Sequence, residues 1–466
     1  MPDGGSGGAA VLVGNNLAVL VAAVELAEAG RRVVLLTDGR PPGGHFRGLS
    51  PDGVDVDLGM VLLETAAPVE GEPDLAGYRP RVRYDWARFG ALVDRWLHAH
   101  ADLVRTPTPE VLVGGRRAPD HLVADRLDVV PALGLPPPAP LPRTDPRHAA
   151  GKTTSPDYDT LTYAAAAELN HGPAIQRRLV EPFGRKLLGA GYDTLLARYH
   201  RAGWLPLYWP ETLAAACAGA PTGLAEHPFW TTRSGFVGDV VRTLERRLAA
   251  SPHATVDDAP VESLTPAGRR WDVRTRAGGH WSTDRPVLGL AHERLQDLLG
   301  LPPRERPPGA TVVAVATLVR ADAARAPVGC LSVVDPDWLT YRVTDQDALA
   351  GRDPRWHRVV VEAGPGAAAR AEAGEDVAAL LGTELSRLLE LPGDDAGAPV
   401  RVLRTLTARG AVPVPTAASL AEDDAASDAL AGACPQALLT GALLAAGATS
   451  MNDQVVQGLA VAARLG

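Results

Sequence analysis

Cysteine is scarce in this 466-residue chain: Cys217, Cys330 and Cys434 stand far apart and are odd in number. That excludes a disulfide framework and a cysteine-based metal site, and it fits a reducing compartment. Positive charge is also short. Lys and Arg number 46 against 55 Asp and Glu, with an acidic cluster at Glu422-Asp423-Asp424, so nucleic acid meets no basic stripe. Long apolar runs are missing: Ala437 to Ala448 falls short of the roughly 20 residues that cross a bilayer. The first nine residues carry no basic or apolar signal region, and the expectation is a cytoplasmic protein with neither membrane nor nucleic-acid partner.

Several chemistries lack their residues as well. His45, His171, His200, His227 and His357 are scattered without the close pairs of a zinc site, and no carboxylate cluster marks a hard-metal site, so no metal is expected. No Gly-x-Ser-x-Gly elbow occurs, and Gly151-Lys152-Thr153 lacks the preceding strand and glycine of a phosphate loop.

What is present is enough hydrophobic sequence, 46%, for two or three domains, and an opening βαβ unit. Ala9 to Val13 reads as a buried strand, Leu17 to Ala29 as a helix ended by Gly30, and Arg32 to Leu36 as a second strand. A dinucleotide turn needs three glycines, for the bend, for approach of the pyrophosphate and for helix–strand packing. Only Gly14 is kept; Asn16 and Val19 hold the other two positions, and Thr37 stands where the ribose-binding acid is expected, with Asp38 one residue late. Asn16 is the mildest replacement, since asparagine tolerates left-handed backbone and donates hydrogen bonds.

Composition shifts mark the rest. The segment 128–146 holds seven prolines and reads as an extended linker or excursion. Leu161 to Ala216 is helix-rich, and Phe236 to Leu248 has a helical apolar face. Strand periodicity follows at 271–275, 280–282, 286–290, 311–320, 331–334, 341–344 and 358–362. One amphipathic helix is predicted over 368–391, late strands over 400–407 and 437–440, and a final helix over 453–465.

This order of elements resembles the flavin-containing amine oxidase and protoporphyrinogen oxidase superfamily, including its UDP-galactopyranose mutase branch. The likeness rests on the βαβ with Gly14, on Pro42-Gly43-Gly44-His45-Phe46, on Asp52 to Gly59, on the return from Phe236 through Val256 and Val261 to Leu290, and on Leu438 to Gly441 followed by Ser450 to Gln454. It implies an α/β fold: a Rossmann-like FAD-binding domain with an inserted substrate domain of helices plus antiparallel sheet. The implied FAD-binding segments are 1–75, 231–295 and 400–466, with a mainly helical cap over 76–230 and a substrate-domain sheet over 296–399. The implied cofactor is FAD, held by Gly14, Asn16, Leu17, Thr37, Asp38, Gly43, Gly44, His45, Gly59, Met60, Val261, Gly441, Asn452, Asp453 and Gln454. Pyrophosphate belongs at the start of the first helix, where free N–H groups and the dipole meet negative charge. Ala442 replaces the acid that commonly follows the glycine of the last strand.

Substrate contacts are expected from Arg185, Lys186, Tyr199, Arg201, Trp204, Tyr208, Tyr341 and Arg342. The cations suit a phosphate or carboxylate, and Tyr199, Trp204, Tyr208 and Trp209 crowd into eleven residues of a chain with only 9 Trp and 8 Tyr, as a ring-stacking wall would. His45 and Arg342 are the catalytic candidates; the alternatives are a plain surface histidine and a strand arginine paired with Glu362. The implied activity is hydride removal from a small polar molecule, an amine or a sugar derivative. Two alternatives stay open: a redox-neutral mutase using reduced flavin on a nucleotide sugar, and a flavin-free, non-catalytic scaffold.

Overall fold

The structure is a computed structural model that describes residues 8–59, 62–64, 73–78, 86–119, 160–207, 229–303, 309–392, 398–443 and 450–466. The Pro-rich segment 128–146 lies outside them. At its centre β1 (Ala10–Gly14), β2 (Val33–Leu36), β8 (Ala254–Asp257), β12 (Val287–Gly289) and β18 (Leu438–Leu439) form a parallel sheet in the order β18-β12-β1-β2-β8. Three distant stretches of chain thus meet side by side, and β1, β2 and β12 are fully buried, as the apolar runs require of strands covered on both faces.

Helix α1 (Leu17–Glu28) is apolar nearly all round and buried from Leu17 to Ala27 apart from Glu25. It lies between the sheet, α5 (Gly238–Ala250) and the C-terminal helix α11 (Met451–Leu465), with α2 (Trp86–His100) completing the same core. Gly458 lets α11 come down on α1: a Cβ there would stand 2.6 Å from Val21 Cβ and 2.7 Å from Ala18 O. A hairpin sheet of β9 (Val261–Ala267), β10 (Arg270–Thr275) and β11 (His280–Thr283) packs with α6 (His292–Leu299) on the other face.

The second layer is a seven-stranded sheet, β17-β13-β16-β15-β14-β5-β6. It contains β5 (Glu110–Val113), β6 (Arg116–Pro119), β13 (Gly309–Arg320), β14 (Cys330–Val333), β15 (Thr340–Asp345), β16 (Trp356–Ala363) and β17 (Val400–Pro413), antiparallel except at β5–β14. α3 (Tyr163–His171) and α4 (Glu181–Leu188) cover one face, and α8 (Pro365–Glu372) and α9 (Val377–Leu388) cover the other. α7 (Gln346–Leu349) follows β15, and α10 (Ala417–Ala433) leads back to β18. A small sheet of β3 (Leu63–Glu64), β7 (Phe229–Thr232) and β4 (Leu103–Arg105) joins the layers.

Three features differ from the expectation. The helix predicted over 368–391 is two helices, because Gly374 turns with φ +88° and Asp376 starts a new N-cap, accepting from Ala379 N at 3.0 Å. β17 runs to Pro413 inside the seven-stranded sheet, so the chain rejoins the parallel sheet only at Leu438. β5 and β6 come from the region expected to be mainly helical. Among the described residues no helix is long and apolar enough to cross a membrane.

Candidate cofactor cleft

In a parallel sheet the ligand crevice opens beyond the carboxyl ends of the strands, where the chain order reverses. Here β1, β12 and β18 end together. Gly14 has φ +141°, and a Cβ on it would stand 2.8 Å from Gly289 Cα. Asn16 is the N-cap of α1: its Oδ1 accepts from Val19 N at 2.9 Å, while its Nδ2 donates to Gly289 O at 3.2 Å and Thr440 Oγ1 at 3.1 Å. The side chain therefore spans the crevice and ties three strand ends together.

The space that the turn lost has been returned from across the crevice. A Cβ on Gly289 would overlap the Val19 side chain and stand 2.6 Å from Thr440 Oγ1 and 2.7 Å from Asn16 Nδ2. A Cβ on Gly441, whose φ is +67°, would stand 2.5 Å from Asn16 Nδ2. Val19 thus fits because position 289 is glycine, and Asn16 because position 441 is.

Helix α11 closes the crevice from the other side. Gln454 Oε1 accepts from Leu17 N at 2.9 Å and from Ala18 N at 3.4 Å, the two leading amides of α1. Gln457 Oε1 accepts from Gly441 N at 2.7 Å, and Asn452 Nδ2 donates to Glu64 O at 2.9 Å. Asp453 is turned to its own helix in a capping box with Ser450. Gln457 had no signal in the sequence beyond its place one turn after Asp453.

At the far end of β2, Thr37 is buried and its amide donates to Asp257 O at 3.0 Å. Asp38, at φ +55°, pairs with Arg294 at 3.0 and 3.1 Å and accepts from Val261 N at 2.7 Å, and Val261 O accepts from Arg294. Arg294 was not among the expected residues.

The double glycine has two roles. Gly43, φ +100°, brings the chain onto α5, where a Cβ would stand 2.9 Å from Val241 Cγ2; Gly44 leaves its flank open beside Asn16. His45 is solvent-exposed, with its ring centroid 3.9 Å from that of Phe46. Gly59, φ +89°, borders open space. Asp57 is buried and caps α5, accepting from Val237 N at 2.5 Å and Gly238 N at 3.1 Å. Burial pushes its pKa up to about 7 against the pull of those amides and of Arg358.

The expected substrate residues do not form one wall. Arg185 is committed to Asp193, at 2.9 Å through both terminal nitrogens, and to Glu181 at 2.7 Å. Lys186 Nζ donates to the carbonyls of Val333 (2.9 Å), Asp335 (2.6 Å) and Thr340 (3.3 Å), and desolvation lowers its pKa to about 8. Arg342 pairs with Glu362, the alternative its strand position had left open, and Tyr341 OH donates to the same carboxylate at 3.0 Å. Tyr199 packs in the core under α3 and α4, whereas Trp204, at φ +55°, packs beside Phe229 in the core around α1. Met60, Tyr208, Trp209 and the side chain of Arg201 lie outside the described residues.

The chain aligns over nearly its whole length with solved structures of low sequence identity. They include a reduced UDP-galactopyranose mutase (13% identity, 97% of this chain and 92% of that chain, TM-score 0.62) and a putrescine oxidase double mutant from a redesign of cofactor binding (16%, 98% and 98%, TM-score 0.58). Cyclohexylamine oxidase from Brevibacterium oxydans IH-35A is another (14%, 98% and 98%, TM-score 0.56). The fold is the one these proteins share. It is the α/β frame with an inserted sheet domain that the sequence patches resemble. No family model matches the chain, and no curated protein matches it in sequence.

The donor set of the crevice suits a diphosphate: two amides and the positive end of α1 converge on one acceptor position, which Gln454 Oε1 holds. The nucleoside end suits one less well. The Asp38 carboxylate and both main-chain groups of Val261 are engaged within the protein.

Proposed function

We propose that this protein is a flavin-dependent oxidoreductase of the amine oxidase type, acting on a small polar substrate. One observation carries the reading. The Gly14–Leu17 turn, Gly441 and Gln454, which the sequence singles out from opposite ends of the chain, converge on a single crevice in a frame shared with two amine oxidases. The Leu17 and Ala18 amides would hold the diphosphate, and Gly44, His45 and Gly59 would border the cofactor. Flavin bound there supplies the hydride acceptor, while the protein supplies position and exclusion of water. The mutase reading draws less support, because Arg185, Lys186 and Arg342, the cations for a nucleotide sugar, are already paired.

A second reading, a flavin-free scaffold on the same frame, is favoured by the bridging of the crevice by Asn16 and by the Asp38–Arg294 pair at the nucleoside end. The visible absorption of the purified protein, before and after incubation with FAD, separates the two. A flavin band, with oxygen or acceptor consumption on amines, supports the oxidoreductase. A colourless protein that takes up no FAD overturns it in favour of the scaffold.

A further inference from the structure

We infer that Gln454 is a built-in competitor for the cofactor diphosphate, occupying the anion position of α1 with a neutral carbonyl whenever no dinucleotide is bound. This rests on the flavin reading above and adds to it a determinant of cofactor affinity.

The first amides of a helix have no partner within it and must find one elsewhere. Asn16 supplies Val19 N, and Gln454 supplies Leu17 N and Ala18 N. The placement of Gln454 is fixed by packing. It sits one turn before Gly458, on the face of α11 that touches α1, and its side chain is buried. No acidic residue lies in the first turn of α1, so among the described residues its positive end is answered by two neutral amide oxygens, Asn16 Oδ1 at Val19 N and Gln454 Oε1 at the two leading amides. Because a charged acceptor makes the stronger bond, phosphate oxygens can displace Gln454, yet every binding event must first give up its two hydrogen bonds. Asn16 is of another kind, since it also ties the strand ends together.

The test is a titration with FAD, followed by quenching of flavin fluorescence, and with ADP, followed by calorimetry, on the full chain and on two variants. Gln454→Ala is expected to bind both ligands about 10- to 100-fold more tightly, the yield of removing one or two competing hydrogen bonds. Gln454→Glu, whose carboxylate answers the helix end better, is expected to bind both more weakly than the native protein. A residue that merely shapes the crevice would weaken binding in both variants. Equal or weaker binding by Gln454→Ala overturns the inference and leaves the flavin reading standing. Should that variant not fold, judged by circular dichroism, Gln454→Glu decides: binding as tight as the native protein's overturns the inference, weaker binding supports it. If the native protein and the folded variants all ignore FAD and ADP, the inference and the flavin reading fall together.

Discussion

Glu362 holds both arms of Arg342: the carboxylate accepts from Nε at 2.6 Å and from Nη2 at 3.0 Å, across the β15–β16 pair. Both side chains are largely buried, and the Tyr341 hydroxyl shares the same acceptor. Glu362 thereby makes Arg342 part of the pairing between the two strands.

Arg342→Ala is therefore expected to act on stability. Removing one partner of a buried pair leaves the other charge uncompensated, a loss of about 3–5 kcal/mol. Urea unfolding measures it, and the double variant Arg342→Met, Glu362→Leu should recover most of the loss. A surface-like effect near zero would mean that the pair is solvated.

Gly289→Ala should overpack the crevice, since its methyl would overlap Val19 and crowd Asn16 and Thr440. The expected loss is about 1–3 kcal/mol. With Val19→Ala added, the combined loss should be smaller than the sum of the single losses, as contacting residues couple. Additive losses would disprove the compensation between positions 19 and 289.

His357 sits 2.7 Å from the Asp345 carboxylate, whose hydrogen bond raises its pKa above the ordinary 6.5 despite partial burial. A raised folded-state pKa gives stability that is fully present below about pH 6.5 and is lost as the pH climbs through the folded value. Unfolding midpoints should fall as the pH rises through that window, and His357→Gln should flatten that part of the profile. A native profile as flat as the variant's would rule out a charged pair.

Lys186→Met should destabilise by about 1–3 kcal/mol, because the Val333, Asp335 and Thr340 carbonyls lose their shared donor. Affinity for FAD, measured by the same titration as above, should not change. A variant as stable as the native protein, with altered ligand affinity, would return Lys186 to the binding site.

Local patterning carried much of the architecture. A period-two run marked β10, continuous apolar runs marked β13 and β16, a 3.6-residue apolar face marked α5, and the paired alternative for Arg342 was visible because Glu362 fell on a predicted strand of its own. The break between α8 and α9 was hidden because an alanine-rich run keeps helical character on both sides of Gly374. Among the described members of the expected cation and aromatic wall, nearness in sequence did not fix direction: Tyr199 and Trp204 pack into different cores.

The sequence by itself determined the opening strand–helix–strand unit and the loss of two turn glycines, since burial patterns and backbone freedom are local properties, while the inserted sheet domain was implied by the resemblance. Only the tertiary structure decided what those losses mean. The glycines that make room for Asn16 and Val19, and the glutamine that answers the start of α1, lie hundreds of residues away, with Asn16 and Gly289 273 positions apart and Leu17 and Gln454 437 apart. Close packing is a property of two surfaces together, so a side chain missing from one and added to the other becomes interpretable only once the surfaces touch.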